Sequence, residues 1–239
     1  MASVTTPERQ PIPARRGKQS ASNGMCIRVP SSAHTLAGFR EWVKSADFPE
    51  KLRVAYVDQE ILLDMSKEEE HHALAKAEIC RVQMNLNHEM DLGEFLLDGV
   101  LITNEAAGVS NNPDAALLLY ASLEAGRVRW VAAARGRENV EVVGTPDWVL
   151  EIVSDSSVRK DTLQLRAAYH RARIPEYWLV DARGAEIVFQ ILHWRKSGYV
   201  AAPSKGGWQR SRVFGRSYRL ERRRNAKGFW KYTLHVKPA

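Results

Sequence analysis

The sequence predicts an α/β fold, with a mixed central β-sheet flanked by helices and a basic β extension at the C-terminus. Three observations lead there. Between Pro146 and Asp181 the order is apolar strand, amphipathic helix, apolar strand, which implies a βαβ crossover and parallel pairing. Several short apolar runs punctuated by Gly and Asn lie before it, as expected for further strands. After it come EIVFQILHW and WKYTLHV, which read as antiparallel additions.

Residues 1–24 are rich in Ser, Pro, Arg and Gln with almost nothing to bury, so a disordered basic arm is expected over residues 1–30. Leu36, Phe39, Trp42 and Val43 fall at helical spacing within residues 34–48 and predict an amphipathic helix. RVAYVD and EILLDM, joined at Gln59, predict two short strands in a hairpin or meander. A longer helix is expected from Lys67 to Met90. Its buried stripe would be Leu74, Ala77, Ile79, Val82 and Leu86, and its charged face His72, Lys76 and Glu78. FLLD, VLIT, AALLLY and VRW, separated by turn residues such as Gly99, Asn111 and Gly126, follow as strands. A hydrophilic linker at 135–139 leads into VEVVG and WVLEIV. Leu165, Ala168, Tyr169 and Ala172 mark the crossover helix over 159–173, closed by Pro175. The Gly-, Ser- and Arg-rich stretch around Gly206, Gly207 and Gly215 reads as a connection to the last strand. The division expected is a core over 31–200 and a basic extension over 201–239 packed on the same domain.

With 239 residues, 44% hydrophobic and 26% charged, the chain has the composition of an ordinary folded domain, which excludes a disulfide-held miniprotein or a fibrous repeat. Cys26 and Cys80 make no disulfide framework or zinc motif, and no run approaches 18 apolar residues. A cytoplasmic protein away from membranes is expected. The net charge of +7 is unevenly spread: residues 195–239 hold 13 Lys and Arg against the single acid Glu221, while the rest of the chain is mildly acidic. Such asymmetry points to a polyanionic partner or to a solvated basic tail.

Glu151 is the most informative residue. WVLEIV otherwise reads as a strand buried on both faces, where an unpaired carboxylate costs several kcal/mol. Asp147 shares its face but lies about 13 Å away along a strand, too far for both to ligate one ion. Asp114, at the mouth of the apolar run AALLLY, is the natural partner if the two strands are neighbours. Two carboxylates meeting in a cleft suit a hard cation such as Mg²⁺ (or Mn²⁺); a buried ion pair with Arg or Lys is the competing explanation for Glu151. Lys160 and Arg159 follow at the strand's C-terminal end, where α/β ligands usually bind, while Ser154, Asp155, Ser156 and Ser157 read as turn residues.

These pieces together resemble the Uma-type restriction endonucleases of the PD-(D/E)XK nuclease superfamily, over roughly Leu52 to Val200. RVAYVDQEI is similar to that family's R-x-E-L-I-D-G-E, DMSKEEEHH to its M-S-P-x(4)-H, NNPD to its first P-D, and Pro146–Asp181 to its longest block. The resemblance implies a restriction-endonuclease-like core, a divalent metal held by Asp114 and Glu151, and hydrolysis of DNA phosphodiesters. Glu60 and His72 fall at matching places as possible accessories, with Asp147 a further one. The pattern is broken at three points: the motif lysine falls at Val153, the alternative lysine four residues after the helix aspartate falls at Leu165, and the early acid falls at Ala55. Lys160, long and flexible, is the remaining candidate for the catalytic cation.

His72 and His88 are sixteen positions apart on one predicted helix, over 20 Å at about 1.5 Å per residue, so they cannot share an ion. No nucleophile-elbow motif suggests a serine hydrolase. Arg210, Arg212, Arg216, Arg222, Arg223 and Arg224, interleaved with Trp208, Phe214, Tyr218 and Trp230, suit phosphate contacts with stacking or simple packing. The expectation is a metal-dependent DNA endonuclease, a homodimer if two strands are cut; the alternative is a nuclease-fold protein that binds nucleic acid or a protein partner without cleaving.

Overall fold

The computed structural model describes residues 27–49, 52–66, 68–132 and 139–239. Most of the expected arm, and all of the 135–139 linker except Asn139, lie outside them; Ile27 and Val29, the first described apolar residues, pack on the core rather than extending the arm. A 3-10 turn (Ser31–His34) leads into α1 (Leu36–Val43), where the Thr35 hydroxyl accepts from the Gly38 N–H at 3.1 Å and caps the helix. Strands β1 (Arg53–Val57) and β2 (Glu60–Asp64) form an antiparallel hairpin. Asp58 and Gln59 both take positive φ (51° and 65°), the two-residue turn whose twist matches paired strands.

Helix α2 (Glu70–Met90) ends on Asp91 in the left-handed conformation. Its buried face differs from the expected one. His72, Ala75, Ile79, Cys80, Gln83 and Leu86 point inward, while Leu74 is exposed. Hydropathy misjudges the phase because two polar side chains, His72 and Gln83, are buried while two apolar ones, Leu74 and Ala77, are exposed.

Next come β3 (Gly93–Leu97), β4 (Leu101–Asn104), β5 (Val109–Asn111), β6 (Ala115–Leu119), α3 (Tyr120–Glu124), β7 (Val128–Ala132), β8 (Asn139–Gly144) and β9 (Trp148–Ile152). A π-helical segment (Lys160–Leu165) continues into α4 (Arg166–Arg171), so the crossover helix is not the uniform one expected. The chain finishes with β10 (Glu176–Asp181), β11 (Val188–Arg195), β12 (Gly198–Ala201), β13 (Gln209–Arg210), β14 (Arg216–Arg224) and β15 (Trp230–Pro238). The Arg-rich stretch expected to be a connection is therefore largely β14, paired along its whole length with β15.

Three sheets result. One has the order β2-β1-β5-β4-β8-β7, a second β12-β11-β10-β9-β6-β3, and a third β13-β14-β15. In the second, β9 and β10 are parallel, with Glu151 opposite Leu179, as the strand–helix–strand order requires. All other pairings in that sheet are antiparallel, which makes it mixed.

The alternation along β9 separates two cores. Val149 and Val153 join a cluster with Leu165, Tyr169 and Tyr177, between this sheet and the first. Trp148, Leu150 and Ile152 face the other way, against Ile79 of α2 and Phe214, Tyr218 and Tyr232 of the C-terminal region. A third cluster packs α1 onto β1 through Phe39, Trp42 and Tyr56.

Candidate active site

Asn111 ends β5 in one sheet and Ala115 begins β6 in another, so Asn111–Asp114 is the bridge between sheets. That bridge lies beside the C-terminal end of β9. The Asp114 N–H donates to Leu150 O (3.1 Å), and the Ile152 N–H donates back to Asp114 Oδ2 (2.8 Å). Asp114 is thus aligned on β9 by backbone hydrogen bonds and lines a cleft of about 360 Å³ together with Glu151 and Lys160.

Glu151 is 2% exposed. Its Oε1 accepts from Asn111 Nδ2 (2.9 Å) and from the Tyr169 hydroxyl (2.5 Å), while Oε2 accepts no hydrogen bond among the described residues. Burial pushes the Glu151 carboxyl well above the usual carboxylate range, and the charges of Asp161 and Asp114 add to this against the opposing pull of Lys160 and Tyr169. No arginine pairs with Glu151 among the described residues.

Asp114 behaves oppositely. Burial alone would raise its proton affinity, but His72 Nε2 at 3.3 Å, the Ile152 amide and Lys76 Nζ at 3.6 Å outweigh it and hold the carboxyl below its ordinary value. Burial likewise disfavours the His72 imidazolium, yet Asp114 on one ring nitrogen and Glu68 on the other (3.0 Å) raise its pKa. Lys160 Nζ lies 3.1 Å from Asp161 Oδ1; burial works against its charge, and Asp161 and Glu151 reverse this, so the ammonium is retained. The Ser157 hydroxyl donates to the other oxygen of Asp161.

The remaining expected site residues divide. Glu60 lines the cleft and accepts from Gln164 Nε2 (3.0 Å); His72 lines it too. Asp147 does not. It lies at the start of β9, away from the cleft, and accepts from Leu119 N (2.9 Å), Ser122 Oγ (2.9 Å) and Arg127, which makes it a brace tying β9 to the end of β6, to α3 and to the turn before β7. Ser154, Ser156 and Ser157 line the cleft through mutual turn hydrogen bonds, and Asp155 pairs with Arg183 at 3.0 Å. Val153 and Leu165, the two places where the motif lysine would fall, are fully buried in the apolar cluster.

Sequence reasoning misses Asn111, Tyr169, Lys76 and Asp161. In the sequence Asn111 looks like a turn residue, Tyr169 like part of an apolar stripe, and Lys76 like a solvent-facing charge. The unexplained burial of Glu151, which demands donors, could have signalled Asn111 and Tyr169; nothing local signals Lys76 or Asp161.

The donor set fits a small hard cation. The cleft is lined by six carboxylates, those of Glu60, Asp64, Asp98, Asp114, Glu151 and Asp161, against three Lys and Arg side chains, so a phosphodiester would be repelled unless a cation intervened. No cluster of three or more acidic, His or Cys side chains converges on one point among the described residues. Mg²⁺ suits such a site, since it binds through one or two carboxylates and fills its other positions with water and substrate oxygens.

Comparison with known proteins agrees with this architecture. The family described as "Uma2: Putative restriction endonuclease" matches residues 37–230. Among solved structures, one described as "a putative nuclease belonging to DUF820 from Anabaena variabilis ATCC 29413" is similar at 15% identity and a TM-score of 0.53, over 75% of this chain and 90% of that one. No curated protein matches the chain.

Proposed function

Since the chain belongs to the Uma2 family, we propose that it is a divalent-metal-dependent nuclease that hydrolyses DNA phosphodiester bonds in the Asp114–Glu151 cleft. The observation that carries this reading is the pairing of Asp114 with the backbone of β9, which sets two buried carboxylates from adjacent strands beside one retained ammonium group.

Asp114 and Glu151 would hold Mg²⁺ or Mn²⁺, which supplies Lewis-acid stabilisation and a lowered pKa for the attacking water. Asp114 is ionised in advance by His72 and the Ile152 amide. Asn111 and Tyr169 fix the plane of the Glu151 carboxylate by binding one oxygen and leaving the other for the cleft. Asp161 and Glu151 favour the charged form of Lys160 against burial, which suits it to an electrostatic role. It offsets the negative charge that builds on the phosphoryl oxygens, and Asp161 holds its ammonium group in place. Arg210, Arg212, Arg216, Arg223 and Arg224 would meet the DNA backbone, whereas Arg222 is committed to protein carbonyls.

Plasmid nicking in Mg²⁺ or Mn²⁺ tests this. Glu151→Ala and Asp114→Ala should abolish nicking, and Lys160→Ala should slow it by roughly 100- to 1000-fold. DNA binding by the native chain with no nicking in either metal would replace this reading with the binding-only one, which the apolar residues at Val153 and Leu165 favour.

A further inference from the structure

The hairpin β14–β15 ends in a five-residue loop, Asn225–Phe229, that presents an aromatic side chain to solvent. Phe229 is 64% exposed, the most exposed aromatic among the described residues with large exposed side chains. The loop is built to hold it there. The Asn225 side chain accepts from Lys227 N (2.9 Å) and Phe229 N (3.1 Å), its backbone N–H donates to Phe229 O (2.8 Å), and Arg224 donates to Gly228 O. An apolar ring held on an ordered tip, rather than folded back, forgoes burial that the chain could otherwise use.

The surrounding charge is mostly positive: Glu221 and Glu78 act on Arg223 and Lys231 only at a distance, without a direct ion pair. Arg223 faces Lys231 directly across the strands, a like-charge pairing that destabilises a sheet unless an anion lies between them. Glu221, the hairpin's single acid, is taken by Arg219 and His235. Arg223, Lys227 and Lys231 therefore make no salt bridge among the described residues.

The hairpin is also aimed. Arg222, stacked 4.4 Å from the Trp230 ring, donates to Ala182 O and Gly184 O (both 2.7 Å) and Ala185 O (2.9 Å). That clasps it to the loop after β10. Arg183 in this loop pairs with Asp155 in the loop after β9, whose serines line the cleft. Because β9 and β10 are parallel, both loops leave the same end of the sheet, and the hairpin is attached at that end, where the serines after β9 line the cleft.

We propose that the β14–β15 tip is a nucleic-acid finger in which Phe229 stacks on a base while Arg223, Lys227 and Lys231 bind the flanking phosphates. Stacking on an aromatic side chain is tolerant of sequence, and apolar wedges on basic elements are a recurrent means of unstacking a base step. This rests on the nuclease reading for the identity of the polyanion. It adds a specific grip on DNA that is independent of metal.

Binding of full-length protein to fluorescein-labelled single-stranded and duplex DNA, read by anisotropy in EDTA, tests it beside Mg²⁺-dependent plasmid nicking. Phe229→Ala should weaken binding by roughly 5- to 100-fold, Phe229→Trp should restore it and Phe229→Leu should not. Arg223→Ala with Lys231→Ala should lower the slope of log K against log salt by nearly one for each phosphate that is no longer neutralised. Equal affinity of native and Phe229→Ala proteins, or no DNA binding in EDTA, would overturn the finger while nicking by the native protein left the nuclease reading intact; absence of nicking would end that reading instead. A Phe229→Ala protein that no longer binds phosphatidylserine vesicles but keeps DNA would overturn the proposal in favour of a membrane surface.

Discussion

Glu141 has a fully buried side chain, and its carboxylate accepts from Arg40 Nε (2.6 Å) and Nη2 (3.1 Å), with Lys44 Nζ at 3.5 Å. Burial would raise its pKa, but the Arg40 hydrogen bonds reverse this and hold Glu141 below the ordinary glutamate range. Arg40→Ala should cost about 3 kcal/mol, because it leaves a buried charge with only Lys44 and the Thr103 hydroxyl beside it. The folded-state pKa is depressed, so this stabilisation is complete above the unfolded glutamate pKa and is lost as pH falls through the folded value. Urea midpoints should therefore separate native and Arg40→Ala proteins widely at neutral pH and converge in acid; a gap that widens in acid would contradict this origin. Residue by residue, buried charge is legible only where the flanking sequence is apolar. Glu151 stands out in WVLEIV, whereas Asn111, which holds it, looks like any turn asparagine because its donor role depends on a partner forty residues away.

Among the elements, the junction of β7 and β8 depends on a glycine. Gly144 has a φ of +125°, and a Cβ there would fall 2.3 Å from Arg127 O. Gly144→Ala combines backbone strain with a clash against backbone and should destabilise the protein by about 2 kcal/mol or more, measurable as a lower melting temperature. Strands with a strong apolar period, such as β9 and β10, are legible in the sequence, as is the hairpin β1–β2. β14 is not, since only Tyr218 and Leu220 in RSYRLERRR face the core and arginines fill the remaining pattern. The inward face of α2 escapes for a related reason. His72 is buried there because Asp114 awaits it, and no local hydropathy encodes that.

For the molecule as a whole, the C-terminal region is part of the core. Phe214, Tyr218, Leu220, Tyr232 and Leu234 share a cluster with Trp148, Leu150 and Trp178, and the buried Glu176 accepts from Ser211 Oγ (2.6 Å) and Arg212 N (2.7 Å). Truncation after Ala201 would strip one face of the central sheet, leaving Trp148 and Trp178 in water. The expected product is aggregated or unfolded by circular dichroism, and a cooperative melt near that of the full chain would show the extension to be separable. Alternation, crossover order and a charge in an apolar run are local properties, so the α/β class, the parallel β9–β10 unit, the family resemblance and the two carboxylates worth watching are all legible along the chain. Which polar groups hold those carboxylates, that Asp147 is a brace, that Lys160 enters the cleft, and that Phe229 stands exposed on a clasped hairpin emerge from the fold instead. Those outcomes come from chain segments brought together across sheets, and the free energy of such meetings is written in no single stretch of sequence.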